Sequence, residues 1–96
     1  MPKGIQAIQL ALKNARELRV HMCQTSPQSE GARKFVKGCY IELKLSNPTL
    51  PILIRECQGT SARVYARFGK GVERSTSLDS QNKDQVIESI VQLLSN

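Results

Sequence analysis

Two different spacings of hydrophobic residues follow one another in the first half of the chain. Leu18, Val20 and Met22 alternate with polar residues, and this period of two predicts a strand over residues 17–23. Hydrophobic residues then recur at spacings of three and four, which predicts a helix with one buried face: Ala32, Phe35, Val36, Cys39 and Leu43. The chain therefore begins its main fold with a strand followed by a helix.

Local signals mark both ends of this helix. Ser26 is a favourable N-cap and Pro27 suits the first helical position, so we expect the helix to begin there. Asn47 precedes Pro48, and the residue before a proline disfavours helical backbone. The helix should therefore end at about Asn47.

Three more strands are predicted in the second half of the chain. Residues 51–57 are almost wholly apolar at their start, as is typical of a strand covered on both faces. Residues 62–68 and 72–78 read as two shorter strands. The Gly-Lys-Gly sequence at residues 69–71 lies between them and predicts a hairpin in which the glycines supply positive φ angles.

A final helix is expected from about Asn82. Asn82 and Gln85 have the spacing of a capping box, in which each side chain accepts a hydrogen bond from the other residue's backbone N–H. Its buried stripe should comprise hydrophobic residues at helical spacing: Val86, Ile87, Ile90, Val91 and Leu94.

Residues 1–16 form a predicted helical segment of their own. Ile5, Ile8, Leu12 and Ala15 fall at helical spacing, and the segment is basic and poor in acids. Such an amphipathic, basic start is what mitochondrial import requires, but a helix that docks on the domain or on a partner has the same pattern. Both interpretations stay open here. No cleavage motif stands out, so we expect the N-terminus to be retained.

The predicted elements occur in the order helix, strand, helix, strand, strand, strand, helix. A strand–helix–strand unit makes its two strands parallel, with a right-handed crossover, and the hairpin adds two antiparallel strands. Helices must cover the hydrophobic sheet. The predicted fold class is therefore α/β: a thioredoxin-like domain over residues 17–96, with a four-stranded mixed sheet flanked by helices, and an extra N-terminal helix in residues 1–16.

Composition and charge narrow the class of protein. The 96 residues, of which 40% are hydrophobic, suffice for one domain with one core. No apolar run approaches the roughly 20 residues that a membrane span needs, and no secretory signal stands out. The net charge is +6, most of it in residues 1–48. Such an excess of positive charge suits an acidic protein partner, a nucleic acid or a mitochondrial address.

Cysteines end both of the strands that are predicted to be parallel. Cys23 and Cys57 should therefore lie at one edge of the sheet, on strands about 4.8 Å apart, where their Cα atoms can reach the roughly 4.4–6.8 Å separation of a disulfide. The alternative is two reduced, partly buried thiols, which a reducing compartment favours. Cys39 shares a helix face with Phe35 and Leu43, so we expect it in the core.

Cys23 has the position of a catalytic thiol without the residues that usually accompany one. It precedes a helix N-terminus, where partial positive charge lowers a thiol pKa. Thioredoxin-type enzymes have a second cysteine three residues later, where this chain has Ser26, and a cis-proline before the third strand, where it has Ser61-Ala62-Arg63. Dithiol exchange is therefore not expected, and a monothiol or sensing role stays open.

Metal and cofactor sites are not expected either. The chain has one histidine, His21, and no Cys-x-x-Cys pair that would place two ligands close together. The residues around Lys70 are too few for a phosphate-binding loop. No small-molecule substrate is therefore predicted.

The first strand of the hairpin places aromatic and basic residues together. Alternation puts Arg63, Tyr65 and Arg67 on one face of this strand and hydrophobic residues on the other. Aromatic rings among arginines can stack on single-stranded RNA. A half-buried strand with a polar outer face has the same pattern, and we favour this second interpretation.

Three stretches together closely resemble one known family: ELRVHMCQTSP at residues 17–27, LSNPTLPILIREC at 45–57 and ARVYARFGKGVE at 62–73. This is the NADH dehydrogenase alpha-subcomplex subunit 2 family, the small thioredoxin-fold accessory subunits of mitochondrial respiratory complex I. The resemblance covers residues 17–94. Val64 departs from it, because the family typically has a bulkier residue near this position.

The resemblance implies a non-catalytic subunit of the peripheral arm of complex I, on the matrix side of the inner membrane. Other complex I subunits would be its partners, the large iron–sulfur subunit of the NADH-oxidising module in particular. The resemblance also implies a disulfide between Cys23 and Cys57, which match the family's cysteines. Two mitochondrial ribosomal proteins share the domain, so an RNA-binding ribosomal protein is the alternative. A thiol redox sensor or monothiol oxidoreductase is the second alternative.

Our hypothesis from the sequence is a structural and assembly subunit that acts through its surface, with no cofactor, no metal and no nucleic acid. Cys23, Ser26 and Cys57 mark the edge where a thioredoxin would have its active site. The candidate partner contacts are basic and aromatic residues of the N-terminal segment and the hairpin: Lys3, Lys13, Arg16, Arg63, Tyr65 and Arg67.

Overall fold

Four strands and three α-helices make up residues 5–95, the part of the chain that the computed structural model describes. The elements are α1 (Ile5–Ala11), β1 (Glu17–Met22), α2 (Glu30–Ser46), β2 (Ile52–Glu56), β3 (Arg63–Arg67), β4 (Glu73–Ser77) and α3 (Lys83–Ser95). Short 3₁₀ turns cover Leu12–Asn14, Pro27–Ser29 and Gly69–Gly71. The predicted order of elements is confirmed.

The strands form one mixed sheet in the order β2-β1-β3-β4. β1 runs parallel to β2, with Val20 opposite Ile54, and antiparallel to β3, with Val20 opposite Val64. β3 and β4 form the predicted antiparallel hairpin. The α/β class and the thioredoxin-like arrangement that the sequence predicts are therefore confirmed.

The helices contact one another and cover one face of the sheet. Along β1, Leu18, Val20 and Met22 are buried in the core, whereas the residues between them are only half-buried. The same alternation continues into β3, and the buried side chains of the strands and helices form one hydrophobic cluster. The opposite face of the sheet therefore carries no helix among residues 5–95.

The prediction that residues 51–57 form a strand covered on both faces is wrong. β2 is an edge strand, Leu53 and Ile54 are half-buried, and Arg55 and Glu56 are exposed. The physical reason is the connection at residues 57–62, which is too short to hold a helix that would cover the second face.

α1 docks on the helical layer. Ile8 and Leu12 are fully buried in the common core, and the side-chain amide of Gln9 donates to the backbone carbonyl of Glu42 in α2 at 3.5 Å. The docking interpretation of the basic N-terminal helix is therefore what the structure shows. Import and the division of the chain at residue 16 stay predictions, and Lys3 lies outside the described residues.

Both predicted helix caps are present. The Oγ of Ser26 accepts from the amide of Gln28 at 3.2 Å, with Pro27 at the first position of the 3₁₀ turn that leads into α2. Asn82 and Gln85 form a reciprocal capping box, with donor–acceptor distances of 3.0 and 2.8 Å. The buried side of α3 also includes a leucine that the predicted stripe leaves out, at position 93.

The hairpin turn differs in one detail from the prediction. Gly71 has a φ of +76°, as expected, but the other positive φ in the turn, 63°, is at Lys70 and not at Gly69. The turn therefore needs a glycine at only one of its two glycine positions.

No helix within residues 5–95 has both the length and the apolar character that a membrane crossing requires. The same part of the chain holds no group of three His, Cys, Asp or Glu side chains placed to bind a metal ion.

Candidate functional site: the thiol rim and the open face

Cys23 and Cys57 follow the ends of the two parallel strands. Met22 and Glu56 are the last paired residues of β1 and β2, and the amide of Cys57 donates to the carbonyl of Met22 at 3.1 Å. The sequence therefore placed both cysteines correctly at one edge of the sheet. We call this edge, residues 23–26 and 57–60, the thiol rim.

The two thiols have different surroundings. Cys23 is 2% exposed and Cys57 is exposed, and both are free. The structure therefore does not contain the disulfide that the resemblance implies, and this pairing stays a prediction.

Backbone amides converge on the sulfur of Cys23. The N–H groups of Ser26 and Gly59 donate to Cys23 Sγ at 3.3 Å each, and Thr25 Oγ1 lies 3.8 Å away. Backbone N–H donation, from Thr25 first and then from Gly59 and Ser26, lowers the pKa of Cys23 to about 7, although burial opposes the shift. The rim thus stabilises a thiolate through backbone N–H groups.

Two residues at the start of the helical layer hold the loop after β1 in place. The amide of Cys23 donates to Ser29 Oγ at 3.0 Å, and Ser29 is buried. Arg33 Nη1 donates to the carbonyls of Cys23 and Ser26, at 2.8 Å each. Sequence reasoning missed Ser29, Arg33 and Gly59. Only Gly59 carries a signal, as a glycine in a turn after a strand.

The chemistry open to the rim is limited by access. Ser26 occupies the position of a resolving thiol, and its hydroxyl is used as a helix cap. Cys23 can ionise near neutral pH. Because Cys23 is buried, however, an electrophile could reach its sulfur only if the surrounding loops opened. Cys39 is buried among hydrophobic residues, as predicted, and burial raises its pKa.

The uncovered side of the sheet forms a second surface, which we call the open face. The registers of the four strands place eleven side chains on it: Glu17, Arg19, His21, Leu53, Arg55, Arg63, Tyr65, Arg67, Glu73, Ser75 and Ser77. The predicted grouping of arginines and tyrosine on the outer face of β3 is therefore confirmed.

Tyr65 lies at the centre of the open face and contacts β1 through its ring. The guanidinium of Arg19 lies over this ring, with its carbon 5.0 Å from the ring centroid. The His21 ring is 4.8 Å away, centroid to centroid, and tilted by 51°. Burial first, and then the positive charges of Arg19 and Arg55, lower the pKa of His21.

The two acids of the open face pair mainly with one arginine. Arg19 Nη2 lies 3.0 Å from Glu73 Oε2, and Arg19 Nη1 lies 3.8 Å from Glu17 Oε1. Arg67 Nε is 4.0 Å from Glu17, and Arg63 Nε donates to Ser75 Oγ at 3.2 Å. The face thus keeps more positive than negative charge.

The remaining predicted contacts lie beside these surfaces. The amide of Arg16 donates to the carbonyl of Arg67 at 2.6 Å, and its guanidinium lies next to Gly69 in the hairpin turn. Lys13 is exposed in the 3₁₀ turn that follows α1. Arg16 therefore belongs with the hairpin, and Lys13 with the helical layer.

Comparison with known proteins gives consistent matches. The family model of the mitochondrial ribosomal protein L51 / S25 / CI-B8 domain matches residues 32–83. NADH dehydrogenase [ubiquinone] 1 alpha subcomplex subunit 2 of Mus musculus is 45% identical over 80 residues, which cover 83% of this chain and 81% of the relative. The protein of the same name from Arabidopsis thaliana is 44% identical over 82 residues, covering 85% and 84%.

A fungal relative extends the set. The NADH-ubiquinone oxidoreductase 10.5 kDa subunit of Neurospora crassa is 40% identical over 84 residues, which cover 88% of this chain and 89% of the relative. Identity at this level over most of both chains establishes common descent and a common fold. The chain therefore belongs to the L51 / S25 / CI-B8 domain family and, within it, to the family of NADH dehydrogenase [ubiquinone] 1 alpha subcomplex subunit 2.

Proposed function

We propose that this protein is a non-catalytic accessory subunit of mitochondrial complex I, the NADH:ubiquinone oxidoreductase, and that it supports the assembly or stability of the NADH-oxidising module. The observation that carries the proposal is the 40–45% identity to relatives named as subunits of this enzyme in an animal, a plant and a fungus. In this role it resides in the mitochondrion, on the matrix side of the inner membrane. Its partners are other complex I subunits, with the large iron–sulfur subunit as the first candidate.

The surface of the domain supports a role in assembly. Leu10, Ile41 and Leu45, all on the helical layer, are 64%, 70% and 75% exposed. Ile41 and Leu45 are four residues apart on α2 and so share one side of that helix. Large apolar side chains that are exposed next to one another suit burial against another subunit.

The two alternatives have weaker support. The domain description includes ribosomal proteins, but the three relatives described above are named for NADH dehydrogenase and not for the ribosome. The lowered pKa of Cys23 would suit a redox sensor, but the thiol is 2% exposed and Ser26 occupies the position of a resolving cysteine. We therefore do not adopt either alternative.

Native gel electrophoresis of mitochondrial membranes tests the proposal. Cells that lack the endogenous protein are supplied with an epitope-tagged copy, and the gel is stained for NADH-oxidising activity and probed for the tag. We expect the tag to migrate with complex I, and complex I to decrease when the protein is withheld. Migration with ribosomal particles would contradict the proposal.

A Cys23→Ser variant tests the non-catalytic part. We expect it to assemble and to leave the NADH:ubiquinone activity per complex unchanged. A normal amount of complex I with a strongly reduced activity would show that this thiol takes part in the reaction, and would refute a purely structural role.

A further inference from the structure

We infer that the open face binds an acidic segment of another complex I subunit, with Arg55, Arg63 and Arg67 paired to its carboxylates. The inference rests on the proposed function, because it takes the partner to be a subunit of the same complex. It goes further in naming the surface, the residues and the chemistry of the segment that they accept.

The type of basic residue is the first observation. The open face has four positions occupied by lysine or arginine, and all four are arginines, whereas the chain as a whole contains lysine and arginine in equal numbers. The exposed cations at the helical layer are lysines, among them Lys34, Lys37 and Lys83. Arginine is enriched at protein interfaces, since its planar guanidinium pairs with carboxylates through two hydrogen bonds and loses its water more readily than an ammonium.

Spare positive charge is the second observation. Among the eleven strand residues of the open face, two are acids, Glu17 and Glu73, and their closest partner is Arg19. Within residues 5–95, neither Arg55 nor Arg63 has a carboxylate within 4.0 Å, and Arg67 only reaches Glu17 at that limit. Three guanidinium groups are therefore available for carboxylates from outside the chain.

The arrangement of the face is the third observation. The guanidinium of Arg63 is oriented by Ser75, and that of Arg19 by Glu73 and by the Tyr65 ring. Side chains that are already ordered lose less conformational entropy when a partner binds. Burial first, and then the positive charges of Arg19 and Arg55, disfavour a proton on His21, which agrees with the excess of arginines over acids beside that ring.

The same observations favour a protein segment over RNA. RNA binding on a sheet relies on bases that stack on exposed aromatic rings, but the guanidinium of Arg19 already lies over Tyr65. Glu17 and Glu73 would also lie close to the phosphates of a bound strand and repel them. A peptide whose carboxylates meet the unpaired arginines avoids both conflicts.

Charge removal on the open face tests the inference. The variant Arg55→Gln/Arg63→Gln/Arg67→Gln keeps hydrogen-bonding side chains and removes three positive charges. We expect it to fold, and we expect the fraction that stays in complex I on a native gel after a salt wash to fall about tenfold or more, because truncating one side of a desolvated charge pair weakens an interface strongly. Circular dichroism and a thermal melt of the purified variant confirm that it folds.

The matched control removes two charges from the same hairpin that lie neither on the open face nor on α2, where Ile41 and Leu45 are exposed. In Lys70→Gln/Arg74→Gln, which is compared with Arg63→Gln/Arg67→Gln, we expect the retained fraction to equal that of the wild type. Equal loss in both variants would show that overall charge matters and the face does not, which overturns the inference. Retention of both variants would also overturn it. In either case the wild-type protein still migrates with complex I, so the proposed function stands; it fails only if the wild type itself does not.

A cross-linking experiment identifies the partner's chemistry. Arg55→Lys and Arg63→Lys keep the charge and introduce primary amines, which a water-soluble carbodiimide joins to any carboxylate in contact. In intact complex I, we expect mass spectrometry to find each new lysine joined to an Asp or Glu of another subunit, within a segment rich in acids. Absence of cross-links at both positions, while the native lysines of the same sample react, refutes the inference. Nuclease-sensitive retention of the protein would assign the face to RNA and refute it as well.

Discussion

The amide of Gly59, in the loop after β2, lies 3.3 Å from the sulfur of Cys23, at the end of β1. The two residues are 36 positions apart and meet because β1 and β2 are parallel neighbours. Gly59 has a φ of +81°, which residues other than glycine rarely adopt. The stabilisation of the Cys23 thiolate therefore depends on Gly59, which lies in the loop after the neighbouring strand, β2.

A Gly59→Ala substitution should disturb this contact. A Cβ at Gly59 has no heavy atom within 4 Å, so the cost is conformational, about 1–2 kcal/mol of unfolding free energy for a left-handed residue. We also expect the pKa of Cys23 to rise from about 7, because the loop must move to relieve the strain. Titration of the thiolate absorbance in a Cys57→Ser background measures the shift.

Gly71→Ala is the control for this prediction. Gly71 also has a positive φ, of +76°, and also has open space where a Cβ would be, but it lies in the hairpin turn. We expect a similar loss of stability and no change in the pKa of Cys23. A shift of that pKa in both variants would mean that general destabilisation, and not the Gly59 amide, controls the thiol.

The lowered pKa of Cys23 predicts a pH-dependent stability. The thiol titrates at about 7 in the folded protein and near its ordinary value of 9.0 when unfolded, so the folded state gives up its proton first. This contribution is complete above pH 9, decreases toward pH 7 and is lost below it. Denaturant unfolding across that range should show the increase for the wild type and for Cys57→Ser, but not for Cys23→Ser. An unchanged profile in Cys23→Ser would contradict the prediction.

His21 predicts a second pH dependence of stability, at lower pH, because the folded state disfavours its protonated form. Its folded pKa lies below the ordinary 6.5, so the folded protein resists its protonation. The wild type should therefore lose stability as the pH falls below 6.5, relative to His21→Gln. Arg55→Gln should raise the pKa of His21, because it removes one of the charges that lower it, whereas Lys37→Gln should not. The chain has one histidine, so its imidazole NMR signals report the pKa directly.

Hydrophobic spacing was sufficient to predict the elements and their order, because each amphipathic segment has to bury one side. The parallel pairing of β1 and β2 followed from the helix between them, and this placed Cys23 and Cys57 at one edge. What the spacing could not show is which face of the sheet stays uncovered. The first residues of β2 are all apolar, so the sequence suggests a strand that is buried on both faces, yet β2 lies at an edge of the sheet.

The donors and charges of the two surfaces depend on register, which is why they were largely missed. Arg63 and Arg67 could be grouped from β3 alone, but Arg19 and Arg55 join them only through the pairing of three strands. The contact of Gly59 with Cys23 requires the loop after β2 to fold over the end of β1. Such contacts across strands leave no pattern in the sequence of either segment.

Two glycines of α2 predict opposite effects of the same substitution. A Cβ at Gly31 would lie 2.9 Å from the carbonyl carbon of Asn82 and would overlap the carbonyl oxygen of Gln81, and neither backbone atom can move without displacing the start of α3. Gly31→Ala should therefore destabilise the protein by about 3 kcal/mol.

At Gly38 the nearest atom is the ammonium nitrogen of Lys83, at 2.9 Å, on a flexible side chain. Gly38→Ala should leave the stability unchanged or raise it by up to about 1 kcal/mol, because alanine favours the helix. Denaturant unfolding of the two variants measures the difference, and equal effects would show that the packing of α2 against α3 at Gly31 is not as close as the structure indicates.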